Sequence, residues 1–271
     1  MVNRQIHDLL QLPQHEQRSP EWFEKRKNKL TSSDAASILG TNPYSTEDEL
    51  LLKKCGIEKP FIGNIATLHG QKYEDEAIEL YCRILGKTNY NFGLIAYTDV
   101  NKGLKNYNPD CDFLAGSPDG IAECIHNPDD EAVLLEVKCP FRRKIIDGYI
   151  PEYYIPQVQL NLFICNLKIA DFIEYCPKTS KLNIVRIYRD TKWLNKNIPL
   201  FMKFWKSVEY YRVHGLEECP AYINKILKDK SREEKKTKQL QKQIEKNKRK
   251  VVEIDSIDDN DNDNNNDNND D

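Results

Sequence analysis

The chain has 271 residues, of which 39% are hydrophobic and 31% charged, with a formal net charge of −3. That balance excludes fibrous and collagen-like polymers and leaves apolar material for one sizeable core. The longest apolar runs, near 133–135 and 160–165, fall far short of the ~20 residues a membrane helix needs, so no membrane segment is expected.

Residues 1–17 carry His7, Asp8 and Glu16 and lack a sustained apolar core, so they are not read as a secretory leader. Residues 20–30 predict a helix capped by Ser19 with Pro20 in its first turn. A short helix follows from Thr31–Asp34 to Gly40, and a third runs from Thr46 towards Cys55. Apolar residues at 73, 77, 78, 80, 81, 84 and 85 give 66–85 helical periodicity. Beyond Gly86 the pattern turns to short strands at 92–98, 113–117, 120–125 and 133–139. Residues 156–167 return to helix, 171–176 and 182–188 are strands joined by the turn 177–180, and 193–214 closes with an aromatic-rich helix. The order predicts a mixed α/β domain over residues 1–225, with one small sheet covered by helices.

The tail is partitioned by charge. Residues 228–250 hold 11 basic and 4 acidic residues, and residues 251–271 hold 9 acidic and no basic ones. We expect a basic, helix-compatible extension over 226–250 and a disordered Asn/Asp-rich tail over 251–271. Flexible neighbours of opposite charge associate at low salt, so the acidic tail can screen the basic segment. Eight cysteines are scattered so that no two fall within three residues of each other. That spacing predicts neither a zinc site nor an iron–sulfur cluster, and favours buried, reduced thiols in an intracellular compartment.

The sharpest local signal is Gly116-Ser117-Pro118-Asp119-Gly120, followed by the apolar strand Leu134-Leu135-Glu136-Val137-Lys138-Cys139-Pro140. Residues two apart on a strand share a face, so Glu136 and Lys138 project together while Leu135 and Val137 point into the packed layer. Phosphodiester hydrolysis accounts for such a pair: carboxylates to hold Mg²⁺ and a cation near the attacking water or the phosphate. Asp119 and Glu136 are the candidate metal ligands, with the Val137 carbonyl as a further one, and Lys138 the catalytic cation. Read blandly, Asp119 is a turn residue, and Glu136 with Lys138 is a surface pair on an edge strand.

Several motifs in order resemble the PD-(D/E)XK nucleases, and within them the lambda-exonuclease or YqaJ viral recombinase family. They are Trp22-Phe23-x-x-Arg26, Thr31-Ser32-Ser33, His69-Gly70 with Glu74, Ser117-Pro118-Asp119-Gly120, Glu136-x-Lys138-Cys139-Pro140 and Gln157-Val158-Gln159. The resemblance implies a restriction-endonuclease-like αβββαβ core of α/β class and 5′-to-3′ hydrolysis of linear duplex DNA from an end. It implies Mg²⁺, with Mn²⁺ as a substitute, held by Asp119 and Glu136, with Glu74 as a further acidic residue and Gln157 approaching the centre. It also implies that Arg26, Ser33 and Ser117 hold a terminal 5′-phosphate, a role in which a guanidinium and hydroxyls are chemically apt. Homo-oligomerisation, a strand-annealing recombination partner and a cytoplasmic or viral replication compartment are expectations of the same kind.

The basic run Arg142, Arg143, Lys144 can track the DNA backbone or be an exposed loop. Trp22 and Phe23 are expected in the core, and His69 as a structural hydrogen-bonder. Two alternatives stand: an endonuclease or CRISPR-adaptation-type nuclease of the same superfamily, and a catalytically silent DNA-binding scaffold. Asn161, four after Gln157, departs from the Gln-x-x-x-Tyr pattern of the former, and the intact Asp119, Glu136 and Lys138 give no sign of the latter.

Overall fold

Side-chain caps decide where the first helices begin. The computed structural model describes residues 2–13, 17–57, 63–127 and 129–261, the last thirteen as backbone alone. Asn3 caps α1 (Arg4–Leu10), and the Ser19 hydroxyl accepts the Trp22 N–H ahead of Pro20 in α2 (Pro20–Lys27). A single turn of 3-10 helix leads into α3 (Ala35–Ile38), and Thr46 with Glu49 closes a reciprocal capping box on α4 (Glu47–Lys54). α5 (Ile65–Leu85) starts on the Asn64 side chain and stops at Gly86, whose φ of 61° is the left-handed C-terminal conformation. The helix predicted over 20–30 ends at Lys27 because Leu30 and Thr31 leave it as β1 (Leu30–Thr31).

The remaining elements are β2 (Lys87–Tyr90), β3 (Ile95–Ala96), α6 (Tyr97–Asn101), β4 (Leu114–Gly116), β5 (Gly120–Cys124), β6 (Val133–Lys138), α7 (Ile155–Ile164), β7 (Ile169–Cys176), β8 (Lys181–Tyr188), α8 (Thr191–His214) and α9 (Pro220–Asp261). The strand expected at 92–98 shrinks to two residues. Tyr97 stacks on Phe163 at 5.0 Å, and Asn101 donates to the Tyr97 and Ile164 carbonyls, so tertiary packing closes a helical turn there. β2 was not anticipated, because Lys-Thr-Asn-Tyr carries no apolar alternation.

Two sheets form where one was expected. β1, β4 and β3 make the smaller, and β2-β5-β6-β7-β8 the larger. They part at 117–119, between β4 and β5. Within the larger sheet β6 and β7 are parallel and the other pairs antiparallel. The parallel pair is joined through α7, as parallel strands require a crossover. In chain order α5, β2, β5, β6, α7 and β7 give the αβββαβ core.

Both faces of this sheet are packed. Leu134, Ile121, Ala170 and Phe172 meet Val158 and Leu162 of α7 and Phe201 of α8 in the main core. Ala122, Val133, Leu135, Val137 and Ile173 join Ala77, Ile78 and Tyr81 of α5 in the second. The strict period of two therefore puts Glu136 on the face of Leu134, beneath α7. It is fully buried, which removes the reading of Glu136 and Lys138 as a surface pair on an edge strand.

The first compact unit closes at His214, and Gly215 after it takes φ 86°. In the second unit the α9 backbone runs through Asp261, into the stretch expected to be disordered. Residues 262–271 of the expected acidic tail lie outside the described residues. No helix among the described residues is long and apolar enough to cross a membrane.

Candidate active site

Asp119 stands immediately before β5, at the turn where the chain leaves one sheet for the other. Its N–H donates to the Leu135 carbonyl at 3.2 Å, and its Oδ2 accepts the Val137 N–H at 2.7 Å. This two-point anchorage locks the Pro-Asp turn onto the neighbouring strand β6. Lys138, at the end of that strand, extends its Nζ back over its own strand. It donates to Glu136 Oε1 and, at 3.0 Å, to the Val137 carbonyl, and lies 3.7 Å from Asp119 Oδ2. The Tyr154 ring lies 5.5 Å from the same ammonium.

Helix α7 supplies the other half of the Glu136 environment. Gln157 Nε2 donates to Oε1 at 2.6 Å and Asn161 Nδ2 to Oε2 at 3.3 Å, so residues one helical turn apart each hold one oxygen. Asn161 was noticed in the sequence only as a departure from a tyrosine. Its fit depends on Gly116, where an added Cβ would lie 2.3 Å from Asn161 Oδ1. Gly120 is constrained in the same way, its Cβ position being 2.1 Å from Asn89 Oδ1.

Glu74, on α5, is 3.6 Å from Arg18 Nη2 and near enough to Asp119 and Lys138 to feel both charges. Burial and the Asp119 charge push its carboxyl up to about 7, against the pull of Lys138 and Arg18. Burial also pushes Glu136 up to about 7, with Asp119 and Glu74 adding to it and the Lys138 ammonium opposing. Lys138 is itself desolvated, yet the attraction of Glu136 and Asp119 outweighs that and holds it well above the ordinary lysine range. Both partners of the Glu136–Lys138 pair thus move upward, Glu136 chiefly because it is buried and Lys138 because two carboxylates face it. Among the described residues no group of three or more His, Cys, Asp or Glu side chains is placed to hold a metal ion. The Lys138 Nζ sits between Glu136 and Asp119, and Asp119 is turned to a backbone N–H. The oxygen donors of Asp119, Glu136, Glu74 and the Val137 carbonyl are nevertheless of the kind that suits a hard divalent cation.

The predicted phosphate-binding residues divide between direct and indirect contact. Arg26 Nη2 donates to Ser33 Oγ at 3.1 Å and to Thr31 Oγ1 at 3.2 Å. Its guanidinium lies 4.2 Å from the Trp22 ring centre, and Trp22 Nε1 donates to Ser117 Oγ at 3.1 Å. Ser117 is therefore linked to Arg26 through the indole. Burial draws Arg26 below its usual value, while Asp34, itself 2.8 Å from Lys54 Nζ, counteracts this. Trp22 is buried, as expected, but Phe23 is 52% exposed, because it falls on the outer side of α2. His69 does not bridge polar groups: its buried Nε2 has no hydrogen-bond partner among the described residues, and the ring lies 4.8 Å from Tyr73 and 5.3 Å from Phe141.

A cleft of about 1040 Å³ opens over Val137 and Lys138, lined also by Arg18, Glu74, Arg142 and Arg143. Arg142 is exposed, with its guanidinium 5.7 Å from the Phe141 ring. Arg143 is committed differently: it pairs with the fully buried Glu174, which also accepts from Asn183 Nδ2 at 3.3 Å. Asn183 in turn receives the Gly148 N–H and donates to the Tyr149 carbonyl, tying the loop after Pro140 to β8.

The model of the YqaJ-like viral recombinase domain matches residues 21–168, more than half of the chain. The chain belongs to that family. An uncharacterized protein of Acanthamoeba polyphaga mimivirus is 32% identical over 182 residues, covering 64% of this chain and 31% of its own. A protein of African swine fever virus is 30% identical over 161 residues, covering 54% of this chain and 46% of its own. The chain thus spans less than half the length of these viral relatives. Among solved structures, the alkaline exonuclease of Laribacter hongkongensis in complex with dAMP superposes with a TM-score of 0.57 at 21% identity, over 74% of this chain and 97% of that one. A second structure of that exonuclease gives a TM-score of 0.56 over 72% and 95%. The fold is the PD-(D/E)XK restriction-endonuclease-like one.

Proposed function

We propose that this chain is a Mg²⁺-dependent deoxyribonuclease that degrades linear duplex DNA from its ends, 5′ to 3′. The observation that carries this reading is the Lys138 ammonium set between Glu136 and Asp119 at the floor of a cleft bordered by arginines. Asp119, Glu136 and the Val137 carbonyl, with Glu74, would hold the ion, and Mn²⁺ suits the same donors. When bound, it supplies Lewis-acid polarisation of the phosphoryl oxygen and lowers the pKa of the attacking water. Lys138, kept protonated by its carboxylates, acts as a hydrogen-bond donor to water and to charge developing on the phosphate. Gln157 and Asn161 hold the Glu136 carboxylate in orientation from α7.

Membership of a viral recombinase family and likeness to an alkaline exonuclease support an end-resecting role. A strand-annealing protein as partner, a homo-oligomer that stays on DNA, and action in the cytoplasm or a viral replication compartment belong to the same proposal. Arg26, with Ser33 and Thr31, offers donors for a terminal 5′-phosphate, and Ser117 adjoins it through Trp22. The test compares 5′-phosphorylated and 5′-hydroxyl duplexes carrying strand-specific labels. Faster loss of the phosphorylated strand from its 5′ end, with Arg26→Ala removing the difference, is expected. Equal rates on both ends, or equal loss on both in Arg26→Ala, would argue against a 5′-phosphate pocket.

A further inference from the structure

The aromatic side chains at the mouth of the cleft have no part in the chemistry above. Tyr44, Phe141, Tyr153 and Tyr154 all line it alongside Lys138, Arg142 and Arg143. Tyr44 is 80% exposed and Phe141 40%, an unusual cost for large apolar rings. Tyr44 stands edge-on to Tyr153 at 6.1 Å, and Tyr153 lies 4.4 Å from Tyr154. Tyr154 reaches inward to the Lys138 ammonium and is backed by Phe172 of the core at 5.2 Å. A ladder of rings thus leads from solvent to the reacting centre.

The ladder is held by local chemistry on both sides. Asn42 Oδ1 accepts the Tyr44 N–H at 2.9 Å, Asn42 Nδ2 donates to Ser37 Oγ at 2.8 Å, and the Thr41 and Asn42 N–H groups both reach the Ala36 carbonyl. The loop carrying Tyr44 is therefore pinned to α3, so the exposure of the ring belongs to a fixed backbone. Tyr153 and Tyr154 form the 3-10 turn that opens α7, the helix that brings Gln157 to Glu136. Ring positions and carboxylate are coupled through one rigid element.

Aromatic faces beside cations are what unstacked nucleobases and their phosphates require, whereas a paired duplex hides its base faces. We propose that Tyr44 and Tyr153 form a stacking subsite for an unpaired nucleobase beside the reacting centre, its phosphate towards Arg142. The subsite rests on the nuclease reading for its purpose but not for its test.

The test is binding of fluorescently labelled oligothymidylate, and of an abasic sugar-phosphate oligomer of equal length, to the full chain in EDTA, where no hydrolysis occurs. Stacking of one base is worth about 5- to 150-fold in affinity, so oligothymidylate is expected to bind more tightly by at least that lower factor. Tyr44→Ala should remove most of the difference and leave abasic binding and the salt dependence unchanged, and Tyr44→Phe should retain it. Equal affinity for the two oligomers, or equal weakening of both by Tyr44→Ala, would overturn the subsite. Base-dependent binding without Mg²⁺-dependent cleavage would instead sink the nuclease reading alone.

Discussion

A methyl group added at residue 116 would sit 2.3 Å from Asn161 Oδ1 and 3.6 Å from the Ile164 side chain. The backbone of Gly116 is fixed by pairing with Ile95, and Asn161 is fully buried on α7, so the amide has to turn away from Glu136. Losing a hydrogen bond to a buried carboxylate costs about 1.5–3 kcal/mol. Overpacking costs about 1–3 kcal/mol where relaxation is partial. Because rotation of the amide relieves part of the clash, Gly116→Ala is expected to destabilise by about 2–4 kcal/mol, lowering Tm by roughly 4–16 °C in a unit of this size. Urea denaturation of Gly116→Ala, Asn161→Ala and the double variant isolates the cause. With the amide gone the methyl has room, so its cost should fall below about 1 kcal/mol and leave a coupling of about 1–3 kcal/mol. Additivity within about 0.5 kcal/mol, or a Gly116→Ala protein as stable as wild type, would refute the idea that Gly116 exists to seat Asn161 against Glu136.

Glu74 is pushed up to about 7 from an ordinary 4.5, so the folded protein keeps a proton that the unfolded chain has already lost. Stability of the metal-free protein should therefore fall as pH rises across that window and level off above it. Mg²⁺ competes with the same protons, so its stabilising shift in thermal melting should grow from pH 5 to pH 7; a pH-independent shift would contradict this. Arg143→Ala leaves the buried Glu174 without its cation and should cost about 3 kcal/mol in urea denaturation. Arg142→Ala should leave the urea midpoint unchanged and lower DNA affinity with a shallower salt dependence. Similar behaviour of the two variants would show that the run acts as one loop.

The elements that local chemistry controls were legible in the sequence. Ser19 with Pro20, Thr46 with Glu49, and Gly86 each begin or end a helix through contacts within a few residues. The apolar strand around Glu136 and Lys138 and the Pro-Asp turn were visible for the same reason. What stayed hidden depends on distant partners. Asn161 reads as an ordinary polar helix residue until α7 is laid over β6. Arg143 looks like Arg142 until Glu174, in parallel register with Lys138, is found beneath it. β2 lacks alternation and forms against the free edge of β5. Phe23 was hidden in the opposite sense, since apolarity alone assigned it to the interior.

The most direct measurement is degradation of linear duplex DNA by the wild-type chain and by Lys138→Ala, with Mg²⁺ and with EDTA. Cleavage by wild type that requires Mg²⁺, and a loss of at least about 100-fold in a folded Lys138→Ala protein, is the predicted result. Cleavage that persists in EDTA, or a variant that degrades DNA at the wild-type rate, would contradict the assignment of Asp119, Glu136 and Lys138 as the reacting centre.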